Sequence, residues 1–270
     1  MNSMLRSKKY RAAFSIGKSN RKAFMLNIFS DYIYIPLRIL LLIVVWSAMF
    51  HGMRVESLHG YTRNDMILYY TTLIIIGFSS RFFSSYSYLV WQDITSGEIS
   101  RYLCRPINYV VYQLSYGLGY TRYLFLVTAL FSFLLWILNN PVERLPLFVC
   151  FLVSVMLSIL LVFSIHMAIG FASFFISAIF GLRDLIFHIL QLFSGALVPL
   201  EFLPGVIGHM GRFLPFRHIY STPMTIFLSR ITFIDALSLL SEQIIFTSIL
   251  MCIVFLMWKA GRNKYTAQGG

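Results

Sequence analysis

Long apolar segments separated by short polar ones set the pattern of this 270-residue chain. An α-helix rises about 1.5 Å per residue and the hydrocarbon layer of a bilayer is about 30 Å thick, so roughly 20 apolar residues cross it. We identify six crossings: near residues 30–50, 66–88, 114–138 and 146–172, one that begins near 185, and one near 236–258. The pattern therefore predicts an all-α polytopic membrane protein with six transmembrane helices.

Composition supports the same class and argues against a nucleic-acid-binding protein. The chain is 58% hydrophobic and only 12% charged, against about 25% charged residues in a soluble domain. Its net charge of +12 is concentrated at the two ends. Basic residues beside apolar spans are typical of cytoplasmic anchors on anionic lipid. The basic residues at the ends are Arg6, Lys8, Lys9, Arg11, Lys18, Arg21 and Lys22, and then Lys259, Arg262 and Lys264.

The distribution of Lys and Arg also predicts the orientation of the chain. With the N-terminus inside, the inner segments hold about twice as many basic residues as the outer ones. The positive-inside rule then places both termini in the cytoplasm. We expect a single membrane domain over 30–258, preceded by a cytoplasmic amphipathic segment over 1–28 and followed by a cytoplasmic tail over 259–270.

The N-terminal segment contains Gly17-Lys18-Ser19, which ends like a phosphate-binding loop. That loop requires a glycine five residues earlier, where this chain has Ala12, and it requires a nucleotide-binding domain around it. Tyr10, Ala13, Phe14 and Gly17 instead share one helical face among basic residues, which predicts an interfacial amphipathic helix. We do not expect this chain to hydrolyse ATP by itself.

Candidate catalytic or metal-binding groups are missing from the apolar segments. Nearly all ten acidic residues lie at span ends or in loops, and the three cysteines have no metal-ligand spacing. We therefore expect no catalytic residue, metal or cofactor in this chain. His166, within the fourth span, is expected to bond to a neighbouring helix rather than to relay protons.

Three arginines interrupt the apolar segments: Arg38, Arg81 and Arg122. All three fall toward the cytoplasmic side in the predicted orientation. They either snorkel to the interface, or Arg38 or Arg81 faces a polar cavity and meets an anionic group on a transported molecule.

The fourth and fifth apolar segments have unusual lengths. Residues 145–180 carry no charge, so the fourth helix is expected to tilt, to extend beyond the bilayer or to bend near Gly170. The fifth gives way to "SGALVPLEFLPGVIGHMGRFLPFRHIYSTP", whose prolines stop helices. We interpret it as two short re-entrant half-helices between spans 5 and 6. An external loop lying on the bilayer is the alternative.

A compact polar stretch, "ITSGEISRYLCRPINYVVYQL", separates the second and third spans. Thr95 to Glu98 match a capping box, which predicts a helix beginning near Thr95. Ile99, Tyr102 and Leu103 then share one face, and Pro106 should end the helix. The product is a short cytoplasmic amphipathic helix that either rests on lipid headgroups or docks into a soluble partner.

Two motifs resemble those of a known family. Glu98-Ile99 followed by "RYLCRPIN", and the later proline-rich segment, are similar to the signatures of type-2 ABC exporter permeases, the ABC-2 family transporter class. In the second motif Leu203 separates Phe202 from Pro204, a one-residue departure from the family pattern. The resemblance extends over essentially the whole chain.

The resemblance implies a permease subunit of an exporter in the bacterial cytoplasmic (inner) membrane. It implies two copies of a P-loop ATPase subunit that bind ATP and Mg, and a second permease, identical or paralogous. The cargo would be amphipathic or hydrophobic. The expected ATPase-coupling residues are Thr95, Glu98, Ile99, Tyr102, Leu103, Arg105 and Pro106. The expected external gate is Pro199, Phe202, Pro204, Leu214, Pro215 and Phe216. A non-ABC scaffold or pore-forming subunit without an ATPase partner is the alternative.

Overall fold

Helices account for almost all of the regular structure in this computed structural model. It describes the backbone of residues 2–23, 25–176 and 179–265, and the side chains of 8–20, 33–176 and 179–265. The tail predicted over 259–270 is therefore described only to 265, and the side chains of Arg6, Arg21 and Lys22 lie outside the described part. The helices are α1 (Asn2–Ala23), α2 (Met25–Met53), α3 (Arg63–Ser84), α4 (Tyr86–Thr95), α5 (Ser100–Leu103), α6 (Tyr109–Ile137), α7 (Leu145–Ala172), α8 (Ile179–Phe193), α9 (Gly205–Phe213), α10 (Ser221–Phe227) and α11 (Phe233–Lys264).

Three 3-10 turns and one hairpin complete the described fold. The turns cover Val142–Arg144, Leu200–Phe202 and Pro215–His218. The hairpin joins β1 (Ser57–Leu58) to β2 (Tyr61–Thr62) as antiparallel strands, with Ser57 opposite Thr62. Its turn needs the left-handed backbone that Gly60 supplies with a φ of 82°.

Within the part of the chain that the structure describes, five helical segments are long and apolar enough to cross a membrane, which supports an all-α polytopic membrane protein. They are Ile33–Met53, Arg63–Thr95, Tyr109–Ile137, Val142–Ala172 and Phe233–Lys264. Each coincides with a predicted crossing. The fifth predicted crossing corresponds to α8, which has 15 residues. A helix of that length is shorter than the roughly 20 residues that cross the hydrocarbon layer.

Helix α7 forms the centre of the bundle and packs against α11, α4, α10 and α3. Because neighbours surround it, its residues are apolar on nearly every side. The helix ends at Ala172, two residues after Gly170, so its length is limited by this end and not by the expected bend near Gly170. Gly170 instead allows close packing, since a Cβ there would overlap the side chain of Val90 on α4. His166 lies 3.4 Å from the Ser87 hydroxyl on α4, which confirms its predicted bond to a neighbouring helix.

The bundle has two ends, which we call the α1 end and the hairpin end. The α1 end holds α1, residues 96–108 and the last turns of α11; the hairpin end holds residues 54–62, 138–144 and 194–230. Helix α8 connects the two ends. Phe180 near its start packs 4.8 Å from Trp91, and the Gly195 carbonyl just after its end accepts a 2.8 Å bond from Tyr69 near the start of α3.

Candidate functional site

The prediction that a helix begins at Thr95 is wrong, because α4 continues to that residue. The Thr95 hydroxyl donates backward to the Trp91 carbonyl at 2.9 Å, as in a helix interior. The helix persists because Val90 and Ile94 are buried in the core. It stops at Gly97, whose φ of 82° is a typical glycine C-terminal cap.

The predicted amphipathic helix is reduced to the single turn of α5, within what we call the 96–108 element. Ile99 is fully buried, and its N–H donates to the Asp93 carbonyl at 2.9 Å. Tyr102 is half-buried, whereas Leu103 is 37% exposed. The three residues predicted to share one apolar face therefore differ in how far they are buried. Ile99, the buried one, anchors the element to its own subunit.

An aromatic base holds the 96–108 element on three helices. The Tyr109 hydroxyl on α6 donates to the Asp93 carboxylate on α4 at 2.6 Å. The Tyr109 ring stacks 5.3 Å from Trp258 on α11, and the edge of Tyr102 meets it at 4.9 Å. Burial raises the pKa of Tyr102 to about 12, so its hydroxyl keeps its proton at neutral pH. A displacement of the element would therefore reach α4, α6 and α11 together.

The tip of the 96–108 element is exposed. Leu103, Cys104, Arg105 and Pro106 all face outward. Glu98 pairs with Arg101 at 2.6 Å, an exposed ion pair that contributes little stability. Helix α5 ends at Leu103, three residues earlier than the expected stop at Pro106. Most of the predicted coupling residues thus form an outward surface on a buried base.

Helix α1 packs along α6 and reaches the same element. The two backbones come very close, because a Cβ on Gly119 would overlap the Phe14 carbonyl oxygen, and one on Gly17 would overlap that of Tyr116. The Tyr10 hydroxyl accepts a 3.2 Å bond from the Asn108 N–H. The predicted N-terminal helix is present, and one side of it lies against protein.

Residues 194–230, the proline-rich segment, form two short helices at the hairpin end. Each of these helices, α9 and α10, is preceded by its own 3-10 turn. Pro204 occupies the N-cap of α9, and Pro215 opens the second turn. Leu203, the residue that departs from the family pattern, is extended between the first turn and Pro204. Pro199 is buried, Phe202, Leu214, Pro215 and Phe216 are half-buried, and Pro204 is exposed.

The deepest part of this segment, near His218 and Tyr220, reaches the middle of the bundle. The His218 carbonyl accepts from the Ser158 hydroxyl, halfway along α7, at 2.9 Å. The Tyr220 hydroxyl lies beside Gly77, well inside α3. The segment therefore descends between the long helices rather than lying across their ends.

A buried amide, Gln243 of α11, fixes that descent. Its Nε2 donates to the carbonyl oxygens of Ser154 and His218, both at 2.9 Å. Its Oε1 accepts from the Ser154 hydroxyl at 2.8 Å. Sequence reasoning missed this residue, although an amide inside a predicted span was a usable signal.

A second cluster joins the proline-rich segment to the hairpin. The Tyr61 hydroxyl donates to Glu201 at 3.2 Å, and the Arg230 guanidinium lies 4.5 Å above the Tyr61 ring. Arg230 also forms an ion pair with Asp65 and donates to the Gly60 carbonyl. Burial, with Glu201 second, raises the pKa of Tyr61 well above its usual value.

The two arginines of the predicted cargo path are exposed, on α2 and α3. Arg38 is near the middle of α2 and donates to the Tyr34 hydroxyl at 3.4 Å. Arg81 lies in the last turn of α3. Within the described residues, no group of three His, Cys, Asp or Glu side chains could hold a metal ion.

Comparison with known proteins gives one family. The family described as "ABC-2 family transporter protein" matches residues 36–269. The matched range includes both the 96–108 element and the proline-rich segment. No curated protein matches the chain.

Proposed function

The chain belongs to the ABC-2 family of transporter proteins, whose members are membrane permeases of ABC-type transporters, and on that premise we propose that it is an exporter permease driven by a separate ATPase. ATP and Mg would bind to that partner. The cargo would be amphipathic or hydrophobic, and a second permease subunit, identical or paralogous, would complete the pathway in the cytoplasmic membrane of a bacterium.

In the proposed topology α8 is the sixth crossing and both termini are cytoplasmic. Helix α8 is short for a crossing, but it joins the α1 end to the hairpin end. The α1 end would then be cytoplasmic and the hairpin end external. The proline-rich segment would enter the membrane from outside, where its irregular backbone is covered by α3, α7 and α11.

The exposed tip on a buried base is the observation that carries the proposed coupling role. Leu103, Cys104, Arg105 and Pro106 are available to a soluble partner. Ile99 and the aromatic base connect them to three membrane helices. Closure of the ATPase would push the tip, and the base would pass the displacement to α4, α6 and α11.

At the external side, the proline-rich segment would close the exit. Its closed position is held by Gln243 in the interior and by the Arg230 cluster at the rim. Arg38 and Arg81 would meet an anionic group of the cargo on its path. Opening would then require the inner bonds, the rim bonds or both to break.

One variant pair tests the coupling surface. Leu103→Asp places a charge in the exposed tip, and Leu138→Asp is a matched control on the 80% exposed side chain that follows α6 at the other end. After coexpression with the ATPase encoded nearest to this chain, Leu103→Asp should reduce ATPase capture about tenfold or more. Leu138→Asp should capture the ATPase as wild type does. Equal capture by all three proteins would refute the assigned surface.

The native Cys104 tests the orientation. It is exposed in the tip, and replacing Cys150 and Cys252 with serine leaves it as the single thiol. A membrane-impermeant maleimide should label it in inside-out vesicles and not in right-side-out vesicles. Bound ATPase should slow that labelling. Labelling from the outside alone would overturn the topology.

A further inference from the structure

A groove of about 480 Å³ lies at the α1 end, behind the tip of the 96–108 element. Its walls come from α1, from the 96–108 element, from the first turn of α6 and from the last turns of α11. The proposed coupling role uses the outward face of the tip. It gives no function to this space between the tip and α1.

The lining offers hydrogen-bond donors and positive charge. Arg105 and Arg262 both line the groove, and among the described residues that line it none is acidic. Tyr10 also lines it; its oxygen already accepts from the Asn108 N–H, which leaves the phenolic proton for another acceptor. Tyr102 contributes a second hydroxyl. Arginine forks and hydroxyl donors without a carboxylate are the chemistry that binds a phosphate group.

The apolar part of the lining indicates where that phosphate comes from. Trp258 and Val111 form one wall, on α11 and α6. Only 22% of the apolar window of each of these helices is buried in the subunit, so α6 and α11 both have apolar surface outside the bundle. Trp and Tyr side chains at such a level are typical of the membrane interface. A soluble phosphate would not use this apolar wall, whereas the glycerol and upper acyl carbons of a phospholipid would.

We propose that this groove binds the phosphate group of an anionic phospholipid of the cytoplasmic leaflet, held by Arg105, Arg262 and Tyr10. The inference rests on the proposed orientation in the membrane and not on the ATPase. It adds a consequence for the proposed function: because Arg105 belongs to the coupling tip, an occupied groove makes coupling depend on anionic lipid.

The test uses the permease alone, so that its failure is distinct from failure of the ATPase proposal. Wild-type protein is reconstituted in nanodiscs containing equal amounts of phosphatidylglycerol and phosphatidylcholine, and retained lipid is counted by native mass spectrometry. We expect preferential retention of phosphatidylglycerol. Arg262→Gln should lower it about fivefold, the loss expected for one basic contact with an anionic lipid surface. Arg262→Lys should restore most of it.

Lys259→Gln is the matched control, because Lys259 is an exposed cation on the same helix that does not line the groove. It should retain lipid as wild type does. Equal loss in Lys259→Gln, or equal retention of both lipids by the wild-type protein, would overturn the proposal. So would displacement of the lipid by millimolar inorganic phosphate, which would assign the groove to a soluble anion. The wild-type comparison needs no variant to fold.

Discussion

Replacing Gln243 with leucine would weaken the hold on the proline-rich segment without leaving a large cavity. The amide is fully buried, and leucine has a similar volume but no polar atoms. The change removes the two donor hydrogens of Nε2, which has the carbonyl oxygens of Ser154 and His218 and, at 3.1 Å, the Ser158 hydroxyl within reach. It also removes the bond that Oε1 accepts from Ser154.

The magnitude follows from the number of bonds and from what remains afterwards. A hydrogen bond between membrane helices contributes about 0.6 kcal/mol on average and about 1.7 kcal/mol at most. Only the bond to the His218 carbonyl reaches the segment, because Ser154 and Ser158 both lie on α7, so its loss weakens docking by about 0.6 to 1.7 kcal/mol. The His218 carbonyl keeps its donor from Ser158, so little further cost arises from an unpaired acceptor. A shift of about 0.6 to 1.7 kcal/mol raises the undocked population of the segment about 3- to 18-fold.

Modification of a buried reporter thiol would measure that population. In a background with the native cysteines replaced by serine, Ile219→Cys puts a thiol at a site that is 3% exposed. An impermeant maleimide added outside should react about 3- to 18-fold faster when Gln243→Leu is also present. Gln92→Leu, at an exposed site on α4, is the control and should leave the rate unchanged. A rate within twofold of the parent in folded Gln243→Leu protein would refute the role given to this amide.

Three further predictions concern other contacts. Gly119→Leu should separate α1 from α6, because even a Cβ there overlaps the α1 backbone. The expected result is faster hydrogen exchange confined to α1, and unchanged exchange would contradict the prediction. Thr232→Ala should lower the free energy of unfolding by about 1 kcal/mol, since Thr232 caps α11. Thr95→Ala should have a smaller effect, and the reverse order would favour the capping box at Thr95. Arg230→Gln should speed exchange in the β1–β2 hairpin through loss of its contacts there, whereas exposed Arg212→Gln should not.

Helix length and position were predictable because a bilayer accepts few backbone structures. Apolar length alone located α2, α6, α7 and α11 within several residues of their observed ends. The proline-rich segment was also recognisable as two short helices, since proline stops a helix by removing a donor and by steric clash. Apolar length and proline positions are local features of the sequence, and tertiary contacts do not change their effect in these segments.

The 96–108 element was predicted less well because its structure depends on distant contacts. Thr95 and Glu98 satisfy the local rule for a helix start, but burial of Ile94 against the core keeps the preceding helix going as far as Thr95. Ile99 looked like a docking residue on pattern alone, and only the packed bundle shows that it is internal. The pairing of Gln243 with His218 joins residues 25 apart, a register that no periodicity encodes.

The contact between α1 and α6 also constrains how the protein is made. Asn20 on α1 bonds to Tyr116 on α6 at 3.1 Å, although 96 residues separate them in the chain. The ribosome therefore completes α1 well before its binding surface exists. Because α1 cannot dock before α6 has been synthesised, its docking is a late step in folding, and until then its basic and apolar faces are suited to bind a lipid surface.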